Sequence, residues 1–176
     1  MLKNYSQKLT TCAIFSAIIC IVTTFVAIPA PSIGNINLGD VFILCSAWLL
    51  GPYGAIASGI GACLADLLSG FAIYAPATLV IKFTMAMLAH YIYSTLSNRF
   101  KFSSLSLLIS AICAEAVMII GYFLYEWLIY GLSLASSSIA FNSIQGTACT
   151  TIGIITGRLL FANRKIRMFF KKFKSL

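Results

Sequence analysis

Five ionisable side chains in this chain sit where water is scarce: Asp40, Asp66, Lys82, Glu115 and Glu126 all fall within or beside apolar runs. A charge at the centre of a membrane helix costs on the order of 2.5–3.5 kcal/mol even on the mild insertion scale. Such groups normally face a protein-lined cavity and find partners there. Asn142 and Gln145 add two amides, which both donate and accept, at i and i+3 on one helical face. Thr78 and Lys82 share a face at i and i+4; Glu115, Ile119, Tyr122 and Glu126 share another at i, i+4, i+7 and i+11. Together these groups could hold a neutral heterocycle, with Phe71, Tyr74, Tyr122, Tyr125 and Trp127 as aromatic walls near a mouth.

Each of these residues also has a plainer reading. Asp66 and Lys82 could form a buried pair that fixes two helices. Asp40, following Gly39 and preceding an apolar run, suits a helix cap. Glu126 suits a solvated rim. Amides glue membrane helices together, and Tyr and Trp form ordinary interface belts. Other chemistry lacks its residues. There is one histidine, His90, and no HExxH, GxSxG or Walker A signature, so no metal, cofactor, nucleophile or ATP site is expected. The six cysteines form no CxxC pair and read as small buried hydrophobes.

The elements that position these groups follow from composition. Of 176 residues, 60% are apolar and 9% charged, against about 25% charged in a soluble domain. With a mean hydropathy of +0.97, the chain excludes a soluble enzyme, an extracellular disulfide module and a disordered chain. The expectation is one integral membrane domain over 1–176: an all-α bundle of six transmembrane helices. The apolar segments run roughly Leu9 to Ile28, Leu38 to Leu50, Tyr53 to Ser69, Tyr74 to Leu96, Ser104 to Tyr125 and Ser138 to Phe161. The short second segment spans ~20 Å at about 1.5 Å per residue, less than a bilayer core of ~30 Å, so it must be tilted or shielded by protein. The first apolar run is too long for a signal peptide, and Pro29 and Pro31 follow it without a small-residue cleavage site; it reads as a retained helix.

Net charge is +8, with a pI near 9.3. Apart from Lys82, every Lys and Arg (Lys3, Lys8, Arg99, Lys101, Arg158 and the tail from Arg164 to Lys174) falls on one side of the six-segment layout. That asymmetry puts both termini in the cytoplasm and favours membrane lipid over nucleic acid as the partner of the basic residues. The tail, with Phe169, Phe170 and Phe173 among its basic residues, reads as a lipid-surface anchor. In this layout the polar set gathers in the outer half, from five helices, as an outward-opening pocket requires. Ala13 and Ala17 form one small-xxx-small pair; Ala57, Gly61 and Ala65 form another, with core packing as its default reading.

Taken as a combination, Asn37-Leu38-Gly39-Asp40, Leu50-Gly51-Pro52, Gly61 with Leu64-Ala65-Asp66-Leu67-Leu68-Ser69-Gly70, Tyr74-Ala75-Pro76-Ala77-Thr78 and Ile81-Lys82 resembles the substrate-binding S component of energy-coupling-factor (ECF) vitamin transporters. The resemblance is closest to the hydroxymethylpyrimidine, pyridoxine or riboflavin-like group, and Asn142-xx-Gln145 extends it toward the C-terminus. It implies a multi-pass protein of the bacterial plasma membrane that captures a vitamin from outside. Its partners would be a transmembrane coupling subunit and two cytoplasmic ATPase subunits, with transport by toppling of the S component. Ala13 and Ala17 match the motif that docks the coupling subunit, and the loop from Ile33 to Asp40 looks like a lid. Phe83 stands where many relatives have Gly, and the expected outer loop from Glu126 to Ser137 matches no family feature.

On this reading Lys82, Glu115, Asn142 and Gln145 supply polar contacts to a small hydroxymethylated pyrimidine or pyridine. Asn37 and Asp40 close the lid side, and Tyr122 stacks on the ring. Riboflavin is the alternative ligand. The rivals from other classes are a membrane-embedded enzyme using Glu115 or Asp66 as a base, and a self-contained ion-coupled transporter or channel. The first lacks a nucleophile or metal signature and the second an internal repeat.

Overall fold

Gly51 and Gly131 each stand as a single residue between two consecutive helices. Each has a positive φ, 66° and 85°, which a residue with a Cβ rarely adopts. Around them a computed structural model describes residues 2–29, 35–99 and 103–175. The order is α1 (Leu2–Phe25), β1 (Ala27–Pro29), β2 (Asn35–Asn37), α2 (Gly39–Leu50), α3 (Pro52–Leu68), α4 (Ala75–Arg99), α5 (Ser103–Tyr130), α6 (Leu132–Ala162) and α7 (Arg164–Ser175). Among the described residues three segments are long and apolar enough to cross a bilayer: Ser6–Phe25, Ala75–Ser97 and Ser104–Tyr130. The fold is an all-α membrane bundle with one small antiparallel hairpin, in which Ile28 pairs with Ile36.

The short α2 is the hub. All its residues except Phe42 are buried, and it packs on α1, α3, α4, α6 and α7. Protein on every side supplies the shielding that its length demands. Its lower half carries Trp48, whose indole Nε1 donates to Ser110 Oγ at 3.0 Å on α5. A Cβ at Gly157 would lie 2.8 Å from the Trp48 ring, so only glycine lets α6 pass there. Ala57 and Ala65 on α3 are buried, and at Gly61 the helix lies against the Ser16 carbonyl of α1. That strip is core packing.

Three expectations are corrected. The outer loop expected from Glu126 to Ser137 does not exist. The turn at Gly131 is so tight that α5 runs on to Tyr130 and α6 starts at Leu132. The first apolar run stops being helical at Phe25, and Ile28 belongs to β1. The tail is not wholly a lipid anchor: α7 turns Phe173 into a cluster with Leu49 and Leu50, supported by Phe15 and Phe170. Phe169 and Met168 stay exposed. The bundle already offers an apolar floor below α2, and the helix face that carries Phe170 and Phe173 fills it.

Candidate binding site

One end of the bundle holds a cavity of about 70 Å³. It takes Thr23 from the end of α1, Asn35 to Asn37 from β2, and Asp66 and Ser69 from the end of α3. Phe71 and Tyr74 come from the following turn, Thr78 and Lys82 from the start of α4, Tyr122 and Glu126 from the end of α5, and Ser138, Phe141, Asn142 and Gln145 from the start of α6. Each of these elements therefore reaches the cavity with its nearest polar turn.

The floor is a linked network. Lys82 Nζ donates to Asp40 Oδ1 at 2.5 Å, between an ammonium and a carboxylate that are almost wholly buried. Gln145 Nε2 donates to the other oxygen, Asp40 Oδ2, at 2.6 Å. Gln145 Oε1 in turn accepts the backbone N–H of Asn37 at 2.9 Å. Asn37 Oδ1 accepts the N–H of Gly39 at 2.9 Å, and the Cys149 thiol donates to the Asn37 carbonyl at 3.5 Å. The hairpin above is thus tied, through one glutamine, to the ion pair below. Removing one partner of a buried pair costs about 3–5 kcal/mol because it strands the other charge.

The walls are aromatic. The Tyr122 ring lies 5.4 Å from Lys82 Nζ, and its hydroxyl bonds Thr78 Oγ1 at 2.9 Å. Tyr74 sits at the centre of a cluster with Phe71, Tyr122, Tyr125 and Tyr130. Its hydroxyl donates to Glu126 Oε1 at 3.3 Å, and the Tyr125 hydroxyl donates to the Ile73 carbonyl.

Of the residues expected at the site, Asn37, Lys82, Tyr122, Asn142 and Gln145 line the cavity. Asp40 lies behind Lys82 and Gln145, off the lining. Glu115 is also off the lining. It is 3% exposed, and neither of its carboxylate oxygens has a hydrogen-bond partner among the described residues. It lies against Gly146, where a Cβ would meet the Glu115 Cβ at 3.2 Å. Ile33 of the expected lid lies outside the described residues, as does Gly34.

Three readings of single residues change. Lys82 pairs with Asp40 and not with Asp66, because α2 is inserted beside α4 at that depth. Asp40 makes no side-chain cap on α2; the Asn37 side chain serves the Gly39 N–H instead. Glu126 is not a solvated rim residue but is 3% exposed, covered by the extra turn of α5 and the start of α6. Thr23, Ser69, Ser138 and Phe141 were missed. Ser138 carried a signal, since Ser138, Asn142 and Gln145 follow i, i+4, i+7. The mutual approach of Thr23 and Ser69 is set by tertiary packing alone. Ala13 and Ala17 are both exposed on α1.

Comparison with known proteins agrees with this architecture. Residues 3–164 match the family described as ECF-type riboflavin transporter, S component. An uncharacterized protein of Pyrococcus woesei, from a gap 3' region, is 31% identical over 144 residues, covering 81% of this chain and 93% of that protein. The thiamine precursor transporter HmpT of Lactococcus lactis subsp. cremoris (strain MG1363) is 32% identical over 157 residues, 88% of this chain and 85% of that one. A solved structure of the S component of a bacterial ECF transporter superimposes with a TM-score of 0.73 at 26% identity, covering 91% of this chain and 99% of that one. The match along nearly the whole length, over a membrane bundle with a polar chamber at one end, places this chain in the family of ECF-type vitamin transporter S components.

Proposed function

We propose that this chain is the capture subunit of an ATP-driven uptake system. It takes a small hydroxymethylated pyrimidine, a thiamine precursor, from outside the cell, with a pyridoxine-like ring as the close chemical variant. The observation that carries this reading is the Lys82–Asp40–Gln145–Asn37 network beneath a small aromatic-walled cavity. A compact pocket that sets many polar groups against a few aromatic walls suits a small heterocycle that carries its own donors and acceptors. Asn142 and Gln145 offer amide donors and acceptors to ring nitrogens and an exocyclic amine, Lys82 meets the hydroxymethyl oxygen, and Tyr122 stacks on the ring. Asn37 closes the lid side, with Asp40 behind it orienting Lys82 and Gln145. Glu115 adds a second carboxylate behind the same ammonium.

The similarity to HmpT supports a thiamine precursor, and a cavity of about 70 Å³ favours one ring over three fused rings. Riboflavin is the second reading, favoured by the description of the matching family.

Six crossings with both termini in the cytoplasm of a bacterial plasma membrane fit the charge asymmetry: the chamber end lacks Lys and Arg apart from Lys82. Ala13 and Ala17, exposed on α1, would dock the transmembrane coupling subunit, which in turn engages two cytoplasmic ATPase subunits. Titrating purified protein with hydroxymethylpyrimidine, pyridoxine and riboflavin separates the readings. Tight binding of the pyrimidine with weak or absent riboflavin binding supports the proposal; the reverse order overturns it in favour of riboflavin.

A further inference from the structure

The opposite end of the bundle holds a second polar feature that vitamin capture does not use. Arg158 near the end of α6 and Arg167 in α7 line a cavity of about 360 Å³ together with Ser104, Tyr93, Phe161 and Ala162. Among the described residues no carboxylate pairs with either guanidinium group. Among the described residues the one ion pair is Lys82–Asp40, and the four acids of the chain all belong to the chamber side or the bundle middle. At about 1.5 Å per residue, Ser104 is ~16 Å along α5 from Glu115, and Arg158 is ~20 Å along α6 from Gln145. The cavity walls are apolar: Tyr93 and Phe161 stack with centroids 5.6 Å apart. The residues that follow Ser104, Arg158 and Arg167 in the chain are apolar, and Leu105, Leu159, Met168 and Phe169 are each roughly half exposed or more.

We infer that Arg158, Arg167 and Ser104 form a binding site for the phosphate of an anionic phospholipid headgroup, with the glycerol and first acyl carbons lying along Tyr93, Phe161 and those exposed apolar residues. A guanidinium presents its donors in a fork that matches phosphate oxygens, and Ser104 adds a hydroxyl donor. Basic pockets between helices at the cytoplasmic membrane face have the chemistry for such headgroups. A soluble phosphate or an acidic protein segment would satisfy the charges but would leave those apolar residues uncovered. The headgroup would pin the α6–α7 junction to the inner leaflet.

Native mass spectrometry of the full chain, released from nanodiscs of mixed phosphatidylglycerol and phosphatidylcholine, tests this. The wild-type protein should retain phosphatidylglycerol in preference to phosphatidylcholine. R158Q/R167Q should lower that preference about 30-fold, and each single variant should lose part of it. Vitamin binding in the distant chamber stays unchanged in all three and confirms that they fold. An unchanged lipid preference in the double variant overturns the site. Displacement of the lipid by millimolar inorganic phosphate overturns the lipid assignment in favour of a free anion. Retained lipid with lost copurification of the coupling subunit makes the patch a protein interface instead.

Discussion

The two ends of α2 solve opposite problems. At its start, Asp40 is wholly buried and satisfied by charge, through Lys82 and Gln145. Toward its end, Trp48 is wholly buried and satisfied by shape, against Gly153 and Gly157, with one hydrogen bond to Ser110. Both ends are buried, but only the first is bonded to side chains that line the cavity, Lys82 and Gln145. The second is filled, from Trp48 down to Phe173 of α7. A single helix thus backs the cavity with a charged network at one end and with close packing at the other.

The sharpest way to break this contrast is Lys82→Ala. It strands the Asp40 carboxylate, so stability should fall by about 3–5 kcal/mol and ligand affinity by more than tenfold. The double variant Lys82→Met/Asp40→Leu should melt higher than the single one in detergent while still failing to bind. Equal melting of the single variant and wild type would show that the pair is not buried in solution.

Gln145→Ala removes one charge-assisted bond to Asp40, worth about 1.5–3 kcal/mol, together with the link to Asn37. It should weaken ligand binding at least tenfold and speed ligand release, because the hairpin loses its tie to the floor. Stopped-flow dissociation measures this. Gly157→Ala provides the contrast at the other end. Its Cβ would sit 2.8 Å from Trp48, an overpacking that costs about 1–3 kcal/mol. The melting temperature should drop while the affinity of the folded fraction stays at the wild-type value.

The smallest effect on the isolated chain is expected from Ala13→Trp and Ala17→Trp. Both positions are exposed, so stability should change by no more than about 0.5 kcal/mol and binding not at all. Uptake by the assembled transporter should be abolished. Normal uptake in both variants would contradict docking through this face.

Much of the chamber was legible in the sequence because polar residues in an apolar chain stand out individually. Lys82, Asn142 and Gln145 could be assigned to the outer half of the bundle from helix rise and the charge asymmetry. Their pairing was not legible. Whether Lys82 meets Asp40 or Asp66 depends on where the short α2 inserts between longer helices, and no periodicity encodes that. Glu126 was misread for a related reason. A single glycine at 131 lets two helices extend past the expected span ends, and the extra turns bury what looked like a rim. The tail carries its own lesson. An amphipathic pattern shows that Phe170 and Phe173 need an apolar surface, but it is equally satisfied by lipid or by the exposed floor under Leu49 and Leu50.

Hydrogen–deuterium exchange with and without the vitamin precursor tests the chamber most directly. Bound ligand should protect residues 35–37, 78–82 and 142–145, with exchange around Trp48 and at the α6–α7 junction unchanged. Protection confined to the Arg158 end, or absent from the Asn37 hairpin while ligand is bound, would contradict the chamber assignment.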